Sequence, residues 1–221
     1  MFDELVKKYS SYLWFLRKQI GEAFTLLDLG CGNGQFMEAL SSNQNWQITG
    51  IDLDKSYLKI ARSRNIYTSL IYGDIITILK KLIKKGQKFD IIFSSQLIEH
   101  LNKEQGQEML KLAEKVAKKK VILGTTRGFI HQSDFYFDGN LLQHHKSGWS
   151  EKELKKIGYK IYGIGFKLVW SEHGLALTHN QLISLSFSFL AYILSPLVFF
   201  IPILGAGMIA IKNIKLSANP F

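Results

Sequence analysis

The stretch LLDLGCGNGQF, Leu26 to Phe36, decides how this chain is read. An apolar run from Leu26 to Leu29 leads into glycine at every second position, Gly30, Gly32 and Gly34, and then into helix-forming residues, so the pattern predicts a strand, a tight turn and a helix start. Glycine lets the backbone take positive φ and lets a ligand lie against bare main chain. The helix opening at the loop turns its unpaired N–H groups toward whatever the loop cradles. A small-molecule site at this loop is the first expectation.

The residues downstream supply the rest of such a site. A second strand, Gln47 to Ile51, ends at Asp52, and an acid about 20 residues beyond a glycine loop is placed to bond ribose hydroxyls. Leu53 then offers an apolar face to a base ring, while Asp54 reads as the cap of a helix from Ser56 to Ser63. A third strand, Tyr67 to Tyr72, leads to Gly73, Asp74 and Ile75, where an acid past a strand end accepts a hydrogen bond from an exocyclic amine. Lys80 to Lys88 reads as a short helix with a solvated lysine face. Phe89 to Phe93 reads as a buried central strand, and the turn from Ser94 through Gln96 to Leu101 should floor the cleft. A helix from Lys103 to Lys118 and a fifth strand from Val121 to Gly124 follow.

Upstream, Phe2 to Gln19 has the spacing of an amphipathic helix, which packs on the domain or closes over the pocket. Beyond the fifth strand, Thr125 to Gly148 is a long loop rich in aromatic and polar residues, among them Arg127, His131, Asp134, Tyr136, Asp138, His144 and His145; loops of this length are usually functional. Ser150 and Glu153 form a capping box for a helix from Glu151 to about Ile157, and Tyr159 to Phe166 reads as a sixth strand. Met208 to Ile211 reads as a last strand, antiparallel to the sixth. Alternating strands and helices imply an α/β fold with a mostly parallel sheet covered on both faces.

Composition limits the function. The 221 residues and 47% hydrophobic content suit a single domain: a helix over 1–20, a core over 21–166, and an apolar helix insertion with the last strand over 167–221. The charge of +10 is carried by lysine, the arginines being Arg17, Arg62, Arg64 and Arg127, which argues for a generally basic surface over a nucleic-acid site. Cys31, as the single cysteine, excludes an internal disulfide and reads as a small filler of the loop. The first residues carry no secretory pattern, so a cytoplasmic location is expected, with membrane association open. Asn180 to Ile211 is uncharged, but Pro196 and Pro202 leave Leu182 to Ser195 short of the roughly 20 residues a bilayer needs. A core or lid helix, a peripheral membrane contact through 182–205, and a spanning segment all stay open at this point.

DLGCGNG (Asp28 to Gly34), GIDLD (Gly50 to Asp54), YGDI (Tyr72 to Ile75) and FDIIFSSQLIEHL (Phe89 to Leu101) resemble, in order and spacing, the successive motifs of the class I S-adenosylmethionine-dependent methyltransferases. QHHKSGWSEKEL, Gln143 to Leu154, resembles a segment of the methyltransferase type 11 group. The resemblance implies a Rossmann-like three-layer sandwich whose seven-stranded sheet is parallel except for an antiparallel last strand. It implies S-adenosyl-L-methionine as cofactor, with Gly30, Gly32 and Gly34 against the methionine part and Asp28 near its amino group. Asp52 would hold the ribose, Leu53 the adenine face, Asp74 and Ile75 the adenine edge, and Ser94 with Gln96 the space under the sulfonium. GxGxG lacks the third glycine of the NAD fingerprint, which puts a nicotinamide enzyme far behind.

A sulfonium methyl is already activated, so a base is needed only where the acceptor loses a proton. His100 and His145 are the expected candidates, with His144 beside them. Some relatives hold a divalent metal with Glu and His after the fourth strand; Glu99 and His100 match part of that pattern, but Gln96 stands at the first glutamate, so no metal is expected. The turn also lacks the Asn/Asp-Pro-Pro-aromatic motif of amino-methylating nucleic-acid enzymes. The expected function is methyl transfer to a small, apolar acceptor. An RNA methyltransferase and a non-catalytic cofactor-binding partner are the alternatives.

Overall fold

Seven strands lie in one sheet in the order β3-β2-β1-β4-β5-β7-β6: β1 Thr25–Leu29, β2 Gln47–Asp52, β3 Ser69–Tyr72, β4 Phe89–Ser95, β5 Ala117–Thr126, β6 Lys160–Phe166 and β7 Gly205–Asn213. The computed structural model describes residues 12–130, 141–170, 175 and 181–214. Strands β1 to β5 pair in parallel, whereas β7 runs antiparallel to both β5 and β6. β3 and β6 are therefore the edge strands, and β7, last in sequence, is inserted between β5 and β6.

The helices are α1 Tyr12–Ile20, α2 Gln35–Ser41, α3 Lys55–Ser63, α4 Ile75–Lys84, α5 Lys103–Val116, α6 Glu151–Lys156, α7 Lys167–Trp170, α8 Gln181–Ile193 and α9 Ser195–Phe200. Side-chain alternation along the strands separates two apolar layers. Leu27 and Leu29 of β1 join α4, α5 and α6 on one face. Leu26 joins Leu16 and Ile20 of α1 and Met37 and Leu40 of α2 on the other. Three layers result, with the carboxyl ends of β1, β2 and β4 turned to one edge.

Several element boundaries differ from expectation, among them the start of β3 at Ser69 and both ends of β7. α4 begins at Ile75, not near Lys80, because Asp74 caps it by accepting the Thr77 N–H at 2.8 Å and Ile75, Ile78, Leu79 and Leu82 form its buried stripe. α5 stops at Val116 and Lys118 to Lys120 enter β5, since the pairing of Ala117 and Lys120 with β4, on either side of an irregularity at Lys118 and Lys119, outweighs the weak strand preference of lysine. β4 runs two residues past Phe93, to Ser95. The capping box of Ser150 and Glu153 forms as expected, with Ser150 Oγ accepting the Glu153 N–H at 3.3 Å. The first part of the expected Phe2 to Gln19 helix, and His131, Asp134, Tyr136 and Asp138, lie outside the described residues. The uncharged segment divides at Leu194 into α8 and α9, with Pro196 in the first turn of α9. No described helix is long and apolar enough to cross a membrane.

Candidate functional site

The glycine loop turns between β1 and α2 through Gly30, Gly32 and Gly34, at φ +68°, +53° and +77°. Its backbone is held from beneath: Gly30 N–H and Cys31 N–H both donate to the Ile51 carbonyl, at 2.9 and 3.0 Å. A Cβ on Gly32 would meet nothing within 4 Å, so this residue presents bare main chain to the cleft. Gly34 serves packing instead, because a Cβ there would lie 2.9 Å from the Tyr67 ring.

Two carboxylates flank the loop. Asp52 accepts the Gly32 N–H at 2.7 Å through one oxygen and the Asp54 N–H at 2.8 Å through the other. Each oxygen keeps lone-pair capacity for a hydroxyl. Asp28 is buried and accepts the Tyr67 hydroxyl at 2.8 Å. Burial pushes its carboxyl up to about 7, the Asp52 charge adding to the effect and the Tyr67 bond opposing it. Burial also raises the Cys31 thiol, consistent with a filler rather than a nucleophile.

The cleft spans about 410 Å³, within the roughly 300–1,000 Å³ of small-molecule sites. Asp28, Gly30, Gly32, Asp52, Leu53, Asp74, Ile75 and Gln96 all line it, so most of the residues expected at a cofactor site converge there. Gly34 and Ser94 do not line it. Ser95 takes the place expected for Ser94, because the strand continues through Ser95 and its alternation puts Ser95 on the side of cleft-lining Phe93 and Ser94 on the other. Gln96 is aimed into the cleft by a left-handed backbone, φ +52°, pinned by its N–H to the Gly124 carbonyl at 2.9 Å. Asp74 reaches the cleft while one oxygen caps α4.

Periodicity alone did not single out Phe36, Leu97, Leu142, Gln143 and Lys146, which also line the cleft. The last three come from the long loop. Gly128 bridges to Trp149, and the N–H groups of Lys146 and Ser147 donate to the Glu99 carbonyl at 2.7 and 3.1 Å, folding the end of the loop onto the turn after β4. Tyr12 of α1 hydrogen-bonds the Ser95 side chain, and its ring lies 5.5 Å from that of Phe36, so the leading helix packs against the cleft wall.

The loop closure also brings the two expected base candidates together. The His100 and His145 rings are 5.0 Å apart. His100 Nδ1 faces the His144 carbonyl at 3.2 Å and His145 Nδ1 faces the Ile130 carbonyl at 2.8 Å. A carbonyl only accepts, so each neutral ring carries its proton on Nδ1 and keeps the lone pair on Nε2. His100 lines the cleft; burial lowers its pKa and favours the neutral ring. Glu99 lies behind, fully buried, accepting the Thr125 hydroxyl at 2.9 Å on one oxygen, with its other oxygen unpartnered among the described residues. Burial raises this carboxyl to about 7. Ligand atoms of Glu99, His100 and His145 lie within 4.8 Å of one another, a donor set of one carboxylate and two imidazoles that suits a divalent ion. The sequence pattern put Gln96 where a first glutamate would stand and so led to no expected metal; the fold sets His145 beside Glu99 and His100.

A mostly parallel sheet of order 3-2-1-4-5-7-6, with a glycine loop after β1 and an acid after β2, defines the class I methyltransferase architecture. Residues 26–120 match the family model described as a methyltransferase domain. Residues 26–120 are thus similar to a methyltransferase domain, and the chain shares the fold of a solved S-adenosylmethionine-dependent methyltransferase. It is 30% identical over 80 residues to a ubiquinone biosynthesis O-methyltransferase of Bartonella quintana, a match covering 36% of this chain and 32% of that protein. It is 35% identical over 83 residues to the mitochondrial ubiquinone biosynthesis O-methyltransferase of Arabidopsis thaliana, covering 36% and 25%. The alignments thus span about a third or less of these curated relatives' length. Among solved structures, an S-adenosylmethionine-dependent methyltransferase from Archaeoglobus fulgidus matches at TM-score 0.57 and 18% identity over 96% of this chain and 99% of that one. The magnesium protoporphyrin IX methyltransferase of Synechocystis, solved with the cofactor bound, matches at TM-score 0.51 and 12% identity over 97% and 80%.

Proposed function

We propose that the protein transfers a methyl group from S-adenosyl-L-methionine to a small, apolar acceptor. The observation that carries this reading is the joining of a cofactor-type wall to a second wall in one cleft. Gly30, Gly32, Asp28 and Asp52 line the first, and Leu97, His100, Leu101 and Leu142 line the second. The residues fit the cofactor: bare main chain at Gly32 for close approach, a carboxylate at Asp52 for vicinal hydroxyls, apolar Leu53 and Ile75 for a purine, and an acid at Asp28 for an ammonium group.

When bound, the cofactor's sulfonium supplies an activated methyl group. The chain's own task is to align the acceptor with it and exclude water. Leu97, Leu101 and Leu142 form an apolar surface for the acceptor. His100, neutral near pH 7 with its lone pair on Nε2, takes the proton of an acceptor hydroxyl as the oxygen–carbon bond forms. His145 sits against it and orients its ring. The names of the relatives favour an oxygen acceptor.

The test is formation of S-adenosylhomocysteine by the full chain with a panel of hydroxylated aromatics bearing prenyl tails, set against tRNA and against buffer. Turnover confined to the prenylated phenols supports the reading. Turnover with tRNA alone favours RNA methylation. Tight cofactor binding without turnover on the panel or on a lipid extract favours a non-catalytic binding partner.

A further inference from the structure

Of the 18 large hydrophobic side chains exposed among the described residues, 11 lie between Leu168 and Ile203, so the exposed apolar surface is concentrated on one segment. At about 100° per residue, Ile183, Phe189, Leu190, Tyr192 and Ile193 spread over roughly half the circumference of α8, while Ala191 faces the protein. Phe200 and Ile203 continue this surface past Pro196, at 76% and 56% exposure. No charged residue interrupts Asn180 to Ile211. A patch of this kind on a folded domain marks an interaction surface.

The surroundings say what covers it. Phe199 packs its ring 4.7 Å from Phe15 of α1 and 4.8 Å from Tyr162 of β6, which anchors α9 to the domain. Basic residues border this region. Lys18 lies over the Trp14 ring at 5.2 Å, and Trp14 lines an apolar cavity of about 300 Å³ with Phe199 and Phe200. Exposed Lys160 shares the strand face of Tyr162, and exposed Lys167 opens α7, which packs against α8. The chain as a whole carries +10. A broad apolar surface bordered by lysine and tryptophan complements an anionic bilayer, where the side chains enter the acyl boundary and the cations meet headgroups. One partner helix covers an apolar stripe of about 100°, narrower than the exposed arc of α8, whereas a fluid bilayer solvates all of it. The helices are too short to span, so they lie in the plane of the interface.

We infer that α8 and α9 form a monotopic docking surface for anionic phospholipid bilayers. Docking there brings the cavity beneath Phe199 and Phe200 to the lipid surface. That cavity is also lined by Tyr12, whose hydroxyl bonds Ser95 on the cofactor-type cleft, so one hydrogen bond links the linings of the two spaces.

The experiment is co-sedimentation of the full chain with phosphatidylcholine vesicles, with and without phosphatidylglycerol, beside the Phe189→Glu/Phe200→Glu double variant. S-adenosylhomocysteine affinity serves as the check on folding. The parent is expected to pellet with phosphatidylglycerol vesicles and less with phosphatidylcholine alone, and the variant's bound fraction to drop by about tenfold with cofactor affinity unchanged. Should that variant lose cofactor binding, Lys18→Gln/Lys160→Gln/Lys167→Gln replaces it and is expected to lose the preference for anionic lipid. Absence of pelleting with both vesicles, equal pelleting of parent and variants, or a parent dimer that the aromatic variant splits without any vesicle binding would each overturn the inference. Vesicle binding needs neither cofactor nor acceptor, so its failure leaves methyl transfer untouched.

Discussion

Lowering the pH from 7 to 5.5 should weaken cofactor binding through one carboxyl group, Asp28. Burial holds its pKa at about 7 in the free protein, so it is half ionised at pH 7 and about 3% ionised at pH 5.5. An ammonium group placed beside Asp28 binds the ionised form. An α-amino group, with an ordinary pKa of about 7.7–8.0, stays largely protonated over this window. Affinity is therefore lost as pH falls through 7, by about fifteenfold or ~1.6 kcal/mol between pH 7 and 5.5. Binding at pH 7 should also release about half a proton. Isothermal titration with S-adenosylhomocysteine avoids the sulfonium charge, and repeating it in buffers of different ionisation heat counts the proton. Asp28→Asn keeps the size of the side chain and the contact with Tyr67 but removes the titration, so its affinity should be lower at pH 7 and flatter with pH. Glu99 titrates near the same pH but does not line the cleft, and the variant separates the two. A flat parent profile, or a slope retained in Asp28→Asn, would refute the placement of the amino group at Asp28.

Three further outcomes follow from the packing. Gly30→Ala puts a side chain at φ +68° and 2.8 Å from Leu97 Cδ1, so it should cost about 1–2 kcal/mol in urea unfolding and weaken cofactor binding by displacing a cleft residue. Gly106→Ala drives a Cβ to 2.5 Å from the buried Trp149 ring, whose Nε1 donates to Ser147 Oγ at 3.0 Å. About 1–3 kcal/mol of stability should be lost in the same measurement, with little change in S-adenosylhomocysteine affinity. His100→Gln should lower kcat by ~10²–10³ for a hydroxyl acceptor and remove the acid limb of the pH–rate profile, leaving cofactor affinity nearly unchanged; loss of affinity in place of turnover would make His100 a binding residue.

Much of the site was legible because its signals are local. Glycine spacing reports positive φ, and an acid at a strand end reports a polar group at the sheet edge where ligands bind. Where reading by periodicity slipped, a neighbour in space had intervened. Lys118 to Lys120 lie in strand because Ala117 and Lys120 pair with Phe89 and Ile91 of β4, carrying Lys118 and Lys119 between them. Ser95 replaced Ser94 because β4 continues to Ser95, and strand alternation puts Ser95 on the cleft-lining side with Phe93 and turns Ser94 away. Asp74 had to be read twice, as helix cap and as cleft residue, and only the start of α4 at Ile75 shows both.

The amino-acid sequence by itself determined the sheet's parallel core, the glycine loop and the acids that line the cleft beside it, since each depends on backbone preferences and spacing within a few dozen residues. The tertiary structure alone decided what shares that cleft. His145 meets His100 across 45 positions because Lys146 and Ser147 close onto the Glu99 carbonyl, and β7 crosses back from the end of the chain to lie between β5 and β6. It also decided that Ile183, Phe189, Leu190, Tyr192 and Ile193 of α8 face outward, while Ala191 is buried against the domain. Such choices rest on contacts between distant segments, which compete by packing and hydrogen bonding rather than by local propensity, and so leave little trace in any one stretch of sequence.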